Sequence, residues 1–468
     1  MHRTLPLASL LALAVPAIAQ TPAAIPVRVD PRIELLSIVF RLAGNPEYSQ
    51  GKVTSYTKEV DEWFAPVKDH AVVRQAAALR RTRGVSYDAV ASFAVHLDGV
   101  DPPKLAVPLA PWPERLDTRW TERDAKQFVQ NLRSFATSGK VQQFFAAHAD
   151  FYAAAEQRMQ KVVAEHCDLS WFGTFFGEKP TARFQCVLGL LNGGGNFGPS
   201  MLGRDGEDLY AIMGCWMVDA DGKPDFDATV VPTLVHEYCH SFCNPVVAEH
   251  LAALQPHGDA LFELFAEPMR AQAYGNGRTL LCESLVRAAV VRYRATVDGA
   301  AAAKKEVQEQ EQRSFVWTGG LAQLLADEYE QKRAEHPTLH AFGADLAAFF
   351  AAEVERQKAE RAKSPHVVAM TPANGQRDVD PATKALVVTF DREMMDGMWA
   401  VVGGGEHFPK TTGRPSYDAA RKVLTVPVEL KPDWDYELWL NRGRFDSFRS
   451  ADGTKLAPVH VTFHTRAK

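Results

Sequence analysis

Outside its N-terminal segment the sequence lacks any run of the roughly 18 consecutive apolar residues that a membrane helix needs. It also lacks a charge excess. Lys and Arg number 52 against 57 Asp and Glu, a net charge of -5, so nothing points to a nucleic-acid or anionic-membrane partner. Cysteine is scarce: six in 468 residues and none after Cys282. An even count permits disulfides without fixing a pairing, and the alternative is small buried hydrophobes. No internal repeat with a period of about 20–50 residues is visible, which excludes solenoids and propellers. What remains has ordinary apolar and charged fractions, long enough for two or three domains with their own cores.

The first residues, "MHRTLPLASLLALAVPAIAQ", join a short basic start (His2, Arg3) to an apolar run from Leu5 to Ala19, closed by Ala17-Ile18-Ala19. This is the pattern of a secretory signal peptide over residues 1–19. The run is too short for a membrane span and contains Pro6 and Pro16. No Cys stands at the cleavage point, so no lipid anchor is expected there. The mature chain is expected to be exported, periplasmic or secreted. Residues 20–30 are rich in Pro and Ala and read as a linker.

Residues 31 to about 165 read as mainly helical. "TERDAKQFVQNLRSFATSG" opens with Thr121 and Asp124 at capping-box spacing and closes at Gly139. The short apolar runs "ARFQCVLGLL" and "DLYAIMGCWMVD" read as strands. Helices are expected again over 279–295, 317–334 and 338–362. From Ser364 the runs "KALVVTF", "KVLTVPVEL", "YELWLN" and "VHVTFHT" are β-rich and separated by turn residues. "MTPANGQRDVDPATKALVVTFDREM" resembles the start of bacterial Ig-like domains. The expected fold class is α+β: a mainly helical domain with a small sheet over residues 31–362, then an Ig-like β-sandwich over 364–468. The second has no Cys, so it would lack the disulfide of antibody domains.

Chemistry concentrates in "VVPTLVHEYCHSFCNPVV". His236 and His240 are one helical turn apart, so both imidazoles can reach one ion at about 2.0–2.1 Å. Glu237 is rotated one step and can take a proton from a metal-bound water without binding the metal. Pro245 is expected to end the helix, since Asn244 before it is biased out of helical geometry. This motif supplies two protein ligands, and a catalytic zinc takes three. A third His six residues after His240 would mark a metzincin, but that position is Val246. Glu249 and His250 fall in an expected surface connection. Glu263 and Glu267, on the next helical pattern, are feasible. Glu283 is favoured, because "TLLCESLVRAAVV" is apolar nearly all round and a buried carboxylate needs a cation. Arg287, four residues on, can alternatively satisfy Glu283 as an ion pair.

"VHEYCHSFCNP" followed by "AYGNGRTLLCESLVRA" resembles the bacterial family designated domain of unknown function 4932, as does "IELLSIVFRLAGNPEY" upstream. The resemblance spans roughly residues 32–360. It implies that residues 31–362 form a zincin-like catalytic domain, a gluzincin-like metallopeptidase with ligands His236, His240 and Glu283 and the base Glu237. Thermolysin-type gluzincins place an Asp four residues after the ligand Glu, where this chain has Arg287.

Tyr274 and Arg287 flank Glu283 and are candidate donors to a developing oxyanion; an ordinary loop aromatic and a structural ion pair are the plainer readings. "NGGGNFGPS" lacks the Lys-Ser/Thr of a phosphate loop and reads as a turn, or as the flank of an edge strand at Asn196–Gly198. Cys239 and Cys243 read as core or disulfide residues. Together these features predict an exported zinc-dependent peptidase acting on peptides or proteins, with cell-surface or matrix contact through the C-terminal domain. The alternative is a non-catalytic zincin-like binding protein with a structural zinc.

Overall fold

The computed structural model of the chain describes residues 25–177, 181–204 and 206–467. The expected signal peptide lies outside these residues. The chain divides into two units, the first ending at Ala348 and the second starting at Phe349.

The linker expected over residues 20–30 is part of the fold from Ile25 onward. Strand β1 (Val27–Arg28) is an edge of the first unit's sheet. Its flanking amides find distant side-chain acceptors: Val27 N donates to Gln160 Oε1 at 3.1 Å and Val29 N to Glu156 Oε1 at 2.8 Å. Both partners lie more than a hundred residues away, so local composition carried no sign of them. Asp30 then caps helix α1 (Pro31–Leu42), accepting the amide of Arg32 at 3.0 Å. Helices α2 (Thr54–Phe64), α3 (Ala71–Arg83), α4 (Asp88–Val95), α5 (Glu122–Ser138), α6 (Val141–Ala147) and α7 (Ala149–His166) follow, as the periodicity predicts. Helix α5 starts and stops where its caps place it. Thr121 Oγ1 accepts the Asp124 amide at 3.1 Å, and Gly139 is the C-cap.

A short aromatic helix, α8 (Ser170–Phe176), precedes strands β2 (Arg183–Gly189), β3 (Ser200–Gly203) and β4 (Gly206–Gly214). The sheet order is β1-β2-β4-β3. Strands β1, β2 and β4 run parallel, while β3 is the antiparallel edge on β4. Strands β2 and β4 are buried along their C-terminal halves, which is why they read as continuous apolar runs.

Next come α9 (Val231–Glu249), α10 (Leu251–Leu264), α11 (Ala266–Ala271), α12 (Gly277–Val297), α13 (Ala300–Gln312) and α14 (Thr318–Leu324), which runs into a π-helical turn at Leu325–Glu330. Helix α9 does not end at Pro245. A mid-helix proline costs about 3 kcal/mol. Val246 and Val247, just beyond it, are fully buried, and each such burial is worth about 1.5–3 kcal/mol. Continuing the helix wins. Ser241, whose carbonyl the missing amide would have bonded, lines an open cleft where solvent can serve it. No helix among the described residues is long and apolar enough to cross a membrane.

Helix α15 (Gly343–Lys363) contains the division between the units. The second unit holds β5 (Val367–Thr371), β6 (Ala385–Phe390), β7 (Val401–Val402), β8 (Lys410–Thr411), β9 (Ser416–Tyr417), β10 (Val423–Glu429), β11 (Asp435–Leu440) and β12 (Val459–His464). One sheet has the order β5-β6-β10-β8 with β9 also on β10, and the other is β12-β11-β7. Strands β6 and β10 alternate buried and half-buried residues, so one face of each is apolar. Leu386, Val388, Leu424 and Val426 of the first sheet share a core with Tyr436, Leu438, Val461 and Phe463 of the second. The chain is thus mixed α+β, with its β-rich part at the C-terminal end.

All six cysteines are unpaired thiols. Cys186, Cys215, Cys239 and Cys243 are fully buried among apolar side chains, the small-hydrophobe reading.

Candidate metal centre

Helix α9 is built with two different faces. Tyr238 and Phe242 point into an aromatic cluster. Phe242 stacks on Phe176 of α8 at 4.5 Å between centroids, and Tyr238 meets Phe184 of β2 edge-on at 4.9 Å. This packing turns His236 and His240 the other way, toward a cleft of about 1820 Å³. The two rings sit 4.9 Å apart at 81°.

Helix α12 lies against this face. Its start is capped by Asn276, whose Oδ1 accepts the Thr279 amide at 2.9 Å. From it Glu283, only 7 % exposed, reaches both rings. Its Oε2 is 3.6 Å from His236 Nε2 and its Oε1 is 3.5 Å from His240 Nε2. One ligand atom from each residue can be chosen so that all three lie within 4.8 Å of one another. Atoms held about 2.0–2.1 Å from one tetrahedral ion stand about 3.3–3.4 Å apart. Two histidine nitrogens and the Glu283 carboxylate thus form a group that could hold a metal ion. The group holds neither Glu263 nor Glu267. Glu249 is paired with His340, and His250 Nε2 is 2.8 Å from the His340 carbonyl, so these two are engaged elsewhere.

The electrostatics agree with the donor set. Burial, with the charges of His240, Arg287 and Arg313 adding to it, outweighs Glu283 and pushes His236 down to about 3, so its imidazole is neutral with a lone pair free. Burial alone would lift Glu283. The Arg287 guanidinium, the two histidines and the Tyr274 hydroxyl outweigh it and hold the carboxyl at about 2, ionised. Glu237 behaves oppositely. It is buried beside the Glu283 charge, and both push it well above the usual carboxylate range.

Tyr274 and Arg287 both serve Glu283. The Tyr274 hydroxyl donates to Oε2 at 3.1 Å, and Arg287 Nη2 donates to the same oxygen at 2.9 Å and to the Tyr274 oxygen at 2.8 Å. Arg287 is buried, stacks over Phe315 at 4.3 Å, and donates through Nη1 to Gln310 of α13. Gln310 in turn donates to Glu306 at 2.6 Å. Glu283 therefore has Arg287 as its ion-pair partner and faces the two histidines as well.

One contributor was not singled out from sequence. His240 Nδ1 lies 3.3 Å from Asn244 Oδ1, the acceptor that fixes which ring nitrogen carries the proton. Its signal was available: Asn244 is one helical turn after His240. Gly198 belongs to the Asn196–Gly198 stretch that reads as a turn or as the flank of an edge strand, and it leads into β3. A Cβ there would stand 2.2 Å from the Glu237 carbonyl oxygen, so only glycine lets the lead-in to the edge strand β3 lie against α9. Phe197 beside it pairs with Ile212, and Asn196 Oδ1 accepts the Gly214 amide at 2.9 Å. Cys239 and Cys243 are buried thiols outside this group.

Among solved structures, the surface layer protein SbsC, domains 1-6, is 15 % identical, with a TM-score of 0.17 over 54 % of this chain and 35 % of that one. The S-layer protein rSbsC(31-844) is 14 % identical, with a TM-score of 0.17 over 84 % of this chain and 45 % of that one. The chain thus spans less than half the length of either, and likeness at that score says nothing of fold or function. Comparison with curated proteins gives no match. The family model for the domain of unknown function DUF4932 matches residues 25–349, which takes in β1, the sheet, α9 and α12, and the chain belongs to that family.

Proposed function

We propose that the chain is an exported, zinc-dependent peptidase of gluzincin type. The supporting observation is the convergence of His236, His240 and Glu283 at ligand spacing, with Glu237 buried beside them in a large cleft. Zinc, when bound, supplies Lewis acidity and lowers the pKa of a coordinated water to about 7. The rest falls to the chain's own groups. Glu237 accepts a proton from water in the cleft and returns it to the nitrogen of the departing amine. Its raised affinity for protons suits a carrier, and positive charge beside it would draw it back toward ionisation. Arg287 and Tyr274 hold Glu283 in place. Asn244 holds His240 with Nδ1 protonated, leaving Nε2 free. The antiparallel edge β3, whose lead-in at Gly198 meets α9, is the edge to which an extended peptide would add.

The two β-sheets of the second unit share one core, which supports an Ig-like domain that contacts a cell surface or matrix. The activity test uses the purified full chain. Metal analysis is expected to give one zinc per chain, lost with Glu283→Ala. Glu237→Gln is expected to keep the zinc and lose at least about 10²-fold in kcat on a casein or peptide panel. Full activity in that variant would overturn the mechanism. Zinc retained without any hydrolysis by wild type would favour the non-catalytic reading.

A further inference from the structure

The cleft that holds the metal group has basic side chains on its walls, and most of them are neutralised. Arg115 pairs with Glu207, Arg119 with Asp117, Arg287 with Glu283, Arg294 with Asp298 and Lys305 with Glu309. Two are not. Arg278 and Arg313 line the same cleft, are exposed, and have no ion-pair or side-chain hydrogen-bond partner among the described residues. Arg278 is five residues before Glu283 on α12. Helices α12 and α13 are joined by two residues and pack against each other, and α13 is the shorter, at 13 residues against 21, so its end comes back beside the Glu283–Arg287 turn of α12. Gln272 Nε2 donates to the Arg313 carbonyl at 2.9 Å, tying that end to the segment leading into α12. Three residues before Arg313, Gln310 bonds Arg287, one turn from Glu283.

Arg278 is also misplaced for stability. It is the second residue of α12, at the positive end of the helix dipole, where a cation is disfavoured. Two unpaired guanidiniums at the rim of a site whose remaining basic groups are paired call for an anion from outside. A guanidinium presents a planar fork that matches a carboxylate.

We propose that Arg313, assisted by Arg278, recognises a carboxylate on the substrate close to the bond that is cut. This rests on the hydrolase reading above and names the substrate class for it: peptides carrying that carboxylate, either as the free C-terminus or as an Asp or Glu side chain.

The test uses the full zinc-loaded chain and three otherwise identical fluorescent peptides. One has a free C-terminal acid, one is amidated, and one is amidated with an internal Glu. Binding is read by fluorescence anisotropy in the Glu237→Gln background, and hydrolysis in the wild-type background. At least one carboxylate peptide is expected to bind about tenfold or more tightly than the neutral amide. Arg313→Ala is expected to erase that preference, raising KM more than it lowers kcat, with Arg313→Lys intermediate. The free-acid and Glu peptides distinguish the two carboxylate sources. Equal binding of all three peptides, or a preference that survives Arg313→Ala and Arg278→Ala together, would overturn the proposal. So would Arg313→Ala lowering kcat alike on all three, which would make it a transition-state group. Arg313-dependent binding without hydrolysis would uphold the site and sink the hydrolase. Hydrolysis without carboxylate preference would do the reverse.

Discussion

Asn244 and Tyr274 each touch a residue of the candidate metal group, and each makes a separable prediction. Asn244 sets the proton on His240 Nδ1 through a 3.3 Å contact. Removing an outer partner of this kind typically costs about 10–100-fold in metal affinity. Asn244→Ala is therefore expected to weaken zinc binding by about that factor in competition with a chromophoric chelator. Unchanged affinity would mean that the contact does not orient the ring. Tyr274 tests a different question, since it was a candidate oxyanion donor and is found bonded to Glu283. Tyr274→Phe keeps the ring against Phe315 and removes only the hydroxyl. If it only steadies Glu283, kcat on a peptide substrate should fall by no more than about tenfold. A loss of about 10²–10³ with zinc intact would instead mark a donor to the transition state.

At the scale of elements, the site depends on how closely the edge of the sheet approaches α9. Gly198 is the point of contact. Gly198→Ala forces a Cβ onto the Glu237 carbonyl, and overpacking of this sort costs about 1–3 kcal/mol. The expected result is a lowered Tm and reduced peptidase activity with zinc still bound, because neither ligand helix carries the change. Loss of zinc in a folded Gly198→Ala protein would contradict that division. Sequence reading reached the helices and strands here, because their periods and caps are local: Thr121 and Gly139 bracket α5, and Glu283 stood out as a lone acid on an apolar helix. It fell short where the deciding partner is distant. Val27 and Val29 bond acceptors on α7, so a strand end read as linker. Pro245 read as a helix stop because the burial of Val246 and Val247 is a tertiary fact. The chain Glu306–Gln310–Arg287 was missed for the same reason: it joins α13 to α12 across 23 residues, and the burial of Glu306 and Gln310 is a tertiary fact.

For the molecule as a whole, one group outside the cleft links folding to pH. Glu34 lies in the first turn of α1, fully buried, where it accepts the Tyr56 hydroxyl at 2.8 Å and the Leu190 amide at 3.0 Å. Burial dominates these two bonds and lifts the carboxyl to about 7 from 4.5. The folded state therefore holds this proton over a range in which the unfolded chain has released it. Its contribution is complete below about pH 4.5 and declines as pH rises toward 7. Over that window the loss is on the order of 3 kcal/mol. Other groups move the curve as well: His236, depressed to about 3, makes stability rise with pH across 3 to 6.5. The Glu34 part is isolated by difference. Glu34→Gln cannot titrate, so the stability of wild type minus variant is expected to be largest near pH 4.5. It should shrink steadily to a plateau above pH 7, measured by denaturant unfolding at each pH. A difference that does not change between pH 4.5 and 7 would mean that Glu34 is ionised in the fold and stabilised by contacts beyond Tyr56 and Leu190.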